Sequence, residues 1–315
     1  MKVLIIKPSS FGDIICALAC ADALKRSYKN VSISWVVFKQ WKDVLKLCPD
    51  IDEIISWDRL GGLKEFIRVV KFCRRTKFDY VFDLQGLLRT ALLAKFIKAE
   101  NKFGVSGMKE MSHILIEEIY PQNAKINATL RNLETIRFVT KQKFDPKINL
   151  RIPADIKEKA DNILLQNGVK NNFIVLQPFA RGKGKDWSVQ NYKELIILLQ
   201  KKYPHLDIVI LSTAKDFGNF KDCGVFDLCG QTNILELAAI LSKAKIAIGA
   251  DTGSMHLACA LNTPSVFIFG ASNMIETSPY IGKFRLLVNK KNHRDINKIS
   301  PQEVFCQAQE FIEQL

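Results

Sequence analysis

The feature that most constrains this chain is an alternation of short apolar runs with longer amphipathic stretches, which halts once and then restarts. Val3–Ile6, Ser32–Val37, Glu53–Ser56 and Tyr80–Asp83 are the first such runs, with few polar interruptions, as expected of strands covered on both faces of a parallel sheet. Ile14–Arg26, Lys42–Leu47, Gly62–Arg75 and Leu87–Ile97 lie between and after them with helical spacing. Asn127–Lys141 reads as a further helix. From Gln142 to Ile156 the chain turns polar and carries Pro146 and Pro153, which marks a linker. The pattern then begins again. Strands are expected at Phe173–Gln177, Asp207–Ser212, Ile246–Gly249 and Ser265–Phe269. Helices are expected at Ile156–Gln166, Val189–Lys202, Asn233–Lys243, Ser254–Leu261 and, to close, Pro301–Gln314. This is an α/β pattern of two doubly wound parallel-sheet domains, residues 1–150 and 151–315, facing a cleft. The last helix is free, on this pattern, to pack back on the first domain.

Charge separates the two halves. Residues 1–150 hold 26 Lys and Arg against 16 Asp and Glu, which is +10 of the chain's net +14. An anionic partner is therefore expected on the first domain, with a merely solvated basic surface as the competing reading. The eight cysteines form no C-x-x-C pair and most sit in apolar surroundings, as in a reducing compartment. The N-terminal apolar run is too short for a signal peptide, and no run is long enough to span a membrane. The four histidines are dispersed without ligand spacing, so no metal site is expected. The first strand is not followed by G-x-G-x-x-G, and Ser254 has no G-x-S-x-G context. Those absences argue against nicotinamide chemistry and serine hydrolysis.

In doubly wound sheets, ligands bind beyond the carboxyl ends of the strands. Three polar clusters fall there, and a fourth is weaker. Lys7-Pro-Ser-Ser-Phe-Gly-Asp13 joins the first strand to the first helix. Asp13 is either a first-turn acid favoured by the helix dipole or a general base facing the cleft, and Gly12 permits close approach of a ligand. Lys7 is a strand-end lysine or an anion contact. Gln177 to Trp187 holds Arg181, Lys183, Lys185 and two glycines, a basic loop suited to a diphosphate, but without Walker spacing. Gly249 to His256 joins a strand to a helix, with Asp251, Thr252 and Gly253 at the turn and His256 one helical turn beyond Thr252. Asp83-Leu-Gln-Gly86 is the fourth.

Taken in order, Lys7-Pro-Ser-Ser-Phe-Gly-Asp13, Asp83-Leu-Gln-Gly86, Lys185-Asp-Trp187 and Ala250-Asp-Thr-Gly-Ser-Met-His256 resemble the heptosyltransferase family of bacterial lipopolysaccharide synthesis, glycosyltransferase family 9. The resemblance continues through Leu257 to Gly270 and covers nearly the whole chain. It implies a GT-B architecture, with the acceptor on the N-terminal domain and an ADP-linked sugar donor on the C-terminal domain. It implies an inverting transfer with no metal or other cofactor. Asp13 would be the base that deprotonates the acceptor hydroxyl, and Lys185 would stabilise the departing diphosphate. Asp251, Thr252, Gly253 and His256, with Arg181 and Asp216, would hold the donor. Lys7, Ser9, Ser10, Gly12, Gln85 and Gly86 would shape the acceptor side, where Arg59, Lys64, Arg68 and Arg89 are candidate anion contacts. The acceptor would be an anionic glycolipid, the Kdo/lipid A inner core. The enzyme would be a cytoplasmic monomer, held peripherally on the inner membrane by its basic charge.

Two departures touch the donor. Family members often carry hydroxyl residues where this chain has Ala180 and Arg181, and only Asp216 stands where a ribose-contacting acid is expected. Another nucleotide sugar or another surface-glycan acceptor is the alternative. A non-catalytic anionic-ligand binder is the third reading. A nucleic-acid partner is not expected, because no RNP-like or helix-turn-helix signature accompanies the charge.

Overall fold

A computed structural model describes residues 1–120, 125–180, 184, 186–289, 292 and 295–314. The chain divides into two compact units, Met1–Arg151 and Ile152–Leu315. In the first, strands β1 (Lys2–Ile6), β2 (Ser32–Phe38), β3 (Glu53–Trp57), β4 (Phe78–Asp83), β5 (Ala99–Gly104) and β6 (Glu117–Glu118) alternate with helices α1 (Phe11–Ala17), α2 (Ala19–Ser27), α3 (Lys42–Leu45), α4 (Gly62–Cys73) and α5 (Leu88–Phe96), and α6 (Ala128–Thr140) follows. In the second, β7 (Phe173–Gln177), β8 (Asp207–Ile210), β9 (Phe226–Asp227), β10 (Ile246–Ala250), β11 (Ser265–Phe269) and β12 (Phe284–Val288) run with α7 (Ala154–Gln166), α8 (Val189–Lys202), α9 (Ile234–Lys243), α10 (Gly253–Ala260), α11 (Met274–Thr277) and α12 (Pro301–Ile312).

Both sheets are parallel throughout. Their orders are β3-β2-β1-β4-β5-β6 and β12-β11-β10-β7-β8-β9, the same winding twice, since β7 and β10 occupy the places of β1 and β4. That is the Rossmann order, in which the chain reverses direction across the sheet between the two central strands. Central strands are buried along almost their whole length, which is why they read as unbroken apolar runs.

The sequence reading omits four strands: polarity hides three of them, and β12, apolar except for Arg285, is missed although its run is visible. Ala99–Gly104 is polar and half exposed, and β6 and β9 are two residues each, so none of them shows an apolar run. Ile14–Arg26 is expected as one helix but is two. The first starts earlier, at Phe11, because Asp13 accepts a hydrogen bond from the Ser10 backbone N–H at 3.0 Å. It ends at Leu18, whose N–H is shared between the Ile14 and Ile15 carbonyls. The closing helix does not reserve its apolar face for the first unit. Val304, Phe305, Ala308 and Phe311 enter the core of the second, beside Trp187 and Leu199.

Trp187 anchors that core. It is buried, its ring meets Tyr192 edge-on at 4.8 Å, and its Nε1 donates to the Ile299 carbonyl at 2.9 Å. Trp187→Ala removes the ring and leaves that carbonyl without its donor. It is expected to destabilise the protein by about 3–5 kcal/mol, read as a lower midpoint in urea unfolding.

Candidate functional site

In the first unit, the carboxyl ends of β1 and β4 deliver two loops side by side. The Lys7 side chain is only 4% exposed, and its Nζ donates to the Leu84 carbonyl at 2.8 Å. The Ser9 N–H donates to Gln85 Oε1 at 3.3 Å. Asp13 lies in the first turn of α1, where its Oδ2 accepts from the Ser10 hydroxyl at 2.6 Å as well as from the Ser10 N–H. The positive end of the α1 dipole thus lies at its carboxylate. Lys7, Ser9, Ser10, Gly12, Asp13, Gln85 and Gly86 are therefore brought together, as one patch at the end of the sheet.

Asp83 holds that patch from beneath. It is fully buried, and its Oδ1 accepts from the Gln85 and Gly86 amides at 3.0 and 3.1 Å, which folds the chain into a tight turn. Gly86 has φ +66°, a conformation that a side chain would strain. Burial pushes the Asp83 carboxyl up to about 6, while its backbone hydrogen bonds and the charge of Lys7 pull the other way. Burial likewise lowers the Lys7 ammonium from the ordinary lysine range, helped by Arg131 and opposed by Asp13 and Asp83. The sequence reading includes Asp83 in its fourth cluster without giving it a role, and does not single out Arg131. The signal for Asp83 was available, since an acid ending an apolar central strand must find partners.

The candidate anion contacts lie beside this patch, at the ends of β2 and β3. The Arg59 and Arg89 guanidinium groups both stand over the Phe38 ring, at 6.0 and 5.2 Å from its centre. Arg68 is paired with Glu65 at 2.7 Å, and Lys64 is exposed on α4.

In the second unit, the corresponding edge carries the loops after β7, β8 and β10. Thr252 caps α10, its hydroxyl accepting from the Met255 N–H at 3.3 Å and lying 3.0 Å from the Ser254 hydroxyl. Asp251 and His256 are both largely buried, with Asp251 Oδ1 3.1 Å from His256 Nε2. The Thr277 hydroxyl donates to Asp251 Oδ2 at 3.3 Å, a contact that sequence spacing does not show. Asp251, Thr252, Gly253 and His256 thus form one group, with the first-turn amides of α10 beside them. Gly249 lets β10 pass β7 closely, since a Cβ there would stand 2.6 Å from the Gln177 carbonyl. Asp216 lies after β8, where its Oδ2 accepts from the Ser212 and Thr213 hydroxyls at 2.6 and 2.7 Å. Arg181 and Lys185 lie outside the described residues. Their loop is bracketed by a hydrogen bond from the Ala180 N–H to Asp186 Oδ1 at 2.7 Å, and by Trp187. Among the described residues, no three His, Cys, Asp or Glu side chains gather as a metal site.

Asp83 gives the patch a pH signature. Its carboxyl titrates higher in the folded state than in the unfolded one, so its contribution is full below about pH 4 and falls as pH rises to about 6. Asp83→Asn keeps an oxygen acceptor without the charge. Relative to that variant, the wild type is expected to lose roughly 2–3 kcal/mol across this window, read from urea unfolding at a series of pH values.

Comparison with known proteins gives the family and the fold. Residues 66–303 match the model of glycosyltransferase family 9 (heptosyltransferase). The chain is 28% identical to lipopolysaccharide heptosyltransferase 1 of Campylobacter coli, over 92% of this chain and 88% of that one. It is 24% identical to lipopolysaccharide heptosyltransferase 3 of Escherichia coli K12, over 85% of this chain and 82% of that one. Its fold matches a family 9 glycosyl transferase of Veillonella parvula at TM-score 0.89 and 17% identity, covering 100% and 98% of the two chains. It also matches the Escherichia coli ADP-heptose heptosyltransferase II at TM-score 0.84 and 22% identity, covering 100% and 99%.

Proposed function

The chain belongs to glycosyltransferase family 9, and on that premise we propose that it moves a heptose from ADP-heptose to the Kdo/lipid A inner core of lipopolysaccharide. The observation that carries this reading is the group at the start of α10, where Asp251, Thr252 and His256 surround a helix N-terminus suited to a diphosphate. The names of the relatives support the choice of sugar and acceptor. The donor is read to sit on the second unit, with Gly253 permitting close approach and Lys185 and Arg181 adding cations. The acceptor is read to sit on the first unit, at Ser9, Ser10, Gly12, Gln85 and Gly86. Arg59, Lys64 and Arg89 would meet its phosphates and acid sugars.

The chemistry follows from charge. Asp13 takes the proton of the acceptor hydroxyl as its oxygen attacks the anomeric carbon. The bond from that carbon to ADP breaks, and the configuration inverts. The charge that develops on the leaving diphosphate is stabilised by Lys185 and the α10 amides, so no metal ion is assigned a role. No helix among the described residues is long and apolar enough to cross a membrane. We read the protein as a monomer of the cytoplasm that works against the inner face of the membrane where its acceptor lies.

One observation favours a second donor. Asp216 Oδ2 is already engaged by Ser212 and Thr213, and Ala180 offers no hydroxyl. A donor with a different nucleotide would keep the reaction and change the contacts on that side.

Calorimetric titration with ADP, UDP, GDP and CMP tests the donor. Selective ADP binding, weakened about tenfold or more in Lys185→Ala, is the expected result. Selective binding of another nucleotide moves the function to the second reading, and no nucleotide binding removes both. Asp13→Asn is expected to lower kcat by roughly 100-fold or more with little change in ADP affinity. Turnover near that of the parent would take Asp13 out of the mechanism.

A further inference from the structure

Helix α4 is more apolar outside than its packing requires. It already buries Val69 and Cys73, and Phe66 packs against the Trp57 and Phe96 rings. Yet Leu63 is 73% exposed and Ile67, one turn on, is 42% exposed. Leu60, in the loop before the helix, is 93% exposed. Singly, such residues are ordinary on a protein surface, but Leu63 and Ile67 one turn apart on the helix, with Leu60 just before it, make an exposed aliphatic cluster.

The charge around them is one-sided. From Arg59 to Lys77 the chain carries seven Lys and Arg and one acid, Glu65. Lys64, Arg68 and Lys71 follow one another at helical spacing beside the apolar stripe, all exposed, and Arg74 and Arg75 extend the run. Only Arg68 among these is ion-paired with Glu65. A basic helix with bulky aliphatic residues on its outer side is the arrangement that lies in a membrane interface, where apolar side chains enter the boundary below the headgroups. A nucleic acid would satisfy the cations but leave the leucines in water. A second copy bound through the same face would set seven cations against seven.

We propose that the exposed face of α4 and the loop before it dock this protein on an anionic lipid bilayer, with Leu60, Leu63 and Ile67 entering the interface and Lys71, Arg74 and Arg75 meeting lipid phosphates. The proposal rests on the reading of the acceptor as a membrane glycolipid, and adds the surface that makes the contact. Arg59, Lys64 and Arg89 adjoin that surface, so docking would bring the acceptor patch to the lipid headgroups.

The test is co-sedimentation of the full chain with phosphatidylcholine vesicles, with and without about one third phosphatidylglycerol, at low and high salt. The parent is expected to sediment with the anionic vesicles alone and to release in salt. Leu60→Ser/Leu63→Ser/Ile67→Ser is expected to cut that partition by about tenfold or more. Lys71→Gln/Arg74→Gln/Arg75→Gln is expected to cut it by roughly 100-fold at low salt, at about fivefold per cation. A far-ultraviolet circular dichroism spectrum and a urea unfolding profile equal to those of the parent show that each variant is folded, and either variant alone suffices if the other is not. The proposal is overturned if the parent binds neutral and anionic vesicles alike, or neither, or if a folded variant partitions as the parent does. It is overturned too if the variants abolish a dimer and leave vesicle binding intact. Absent vesicle binding with selective ADP binding would sink the docking surface and leave the transferase reading standing. The reverse result would do the opposite.

Discussion

Strand β1 lies between β2 and β4, and β7 lies between β8 and β10, with every pairing parallel. Parallel pairing sends every carboxyl end to the same edge of its sheet, and the reversal of winding at the central pair makes the loops there diverge. The polar groups of both units depend on this. Lys7, Asp13, Asp83 and Gln85 meet because β1 and β4 are neighbours. Thr252, Asp251 and Gln177 share an edge because β10 and β7 are neighbours, at a spacing that the missing side chain of Gly249 allows.

The two edges are built for different charges. In the first unit an acid and a base are buried together, and burial acts against both, raising Asp83 and lowering Lys7. What the fold gains is shape: the Asp83 turn fixes Gln85 and Gly86, and the Lys7 ammonium ties that turn to the loop that ends in Asp13. In the second unit the positive end of a helix lies beside a carboxylate and an imidazole, a setting that accepts an anion and orients it. On the proposed function, the first edge supplies the base and the second the diphosphate cradle, the two halves that glycosyl transfer with a nucleotide-sugar donor needs.

Charge on the outside repeats the theme on a larger scale. The first unit's excess of cations is not spread evenly, because α4 and its flanks take a large share beside solvent-facing aliphatic residues. Electrostatic attraction of that kind acts over about a Debye length, while the leucines act only on contact. The pair therefore suits a surface that is both anionic and partly apolar.

The doubled alternation, the polar stretch between its halves, and the identity of the clusters after the strands were set by sequence, because buried parallel strands must be apolar and strand-end loops must be polar. Ser300 before Pro301 and Glu303 marks the start of α12 for the same local reason. Other features were decided only by the tertiary structure. Ala99–Gly104 is a strand because β4 offers it an edge, and nothing in its own composition requires one. Thr277 reaches Asp251 across 26 residues, and Arg59 and Arg89 share one aromatic ring across 30. The burial that perturbs Asp83 and Lys7 belongs to the packed sheet and not to either residue. Sequence determines which chemistry is available at each strand end, since residue type and local periodicity are local properties. Which of those groups stand within hydrogen-bond reach, and at what charge, is determined by strand order and packing, which bring distant segments together.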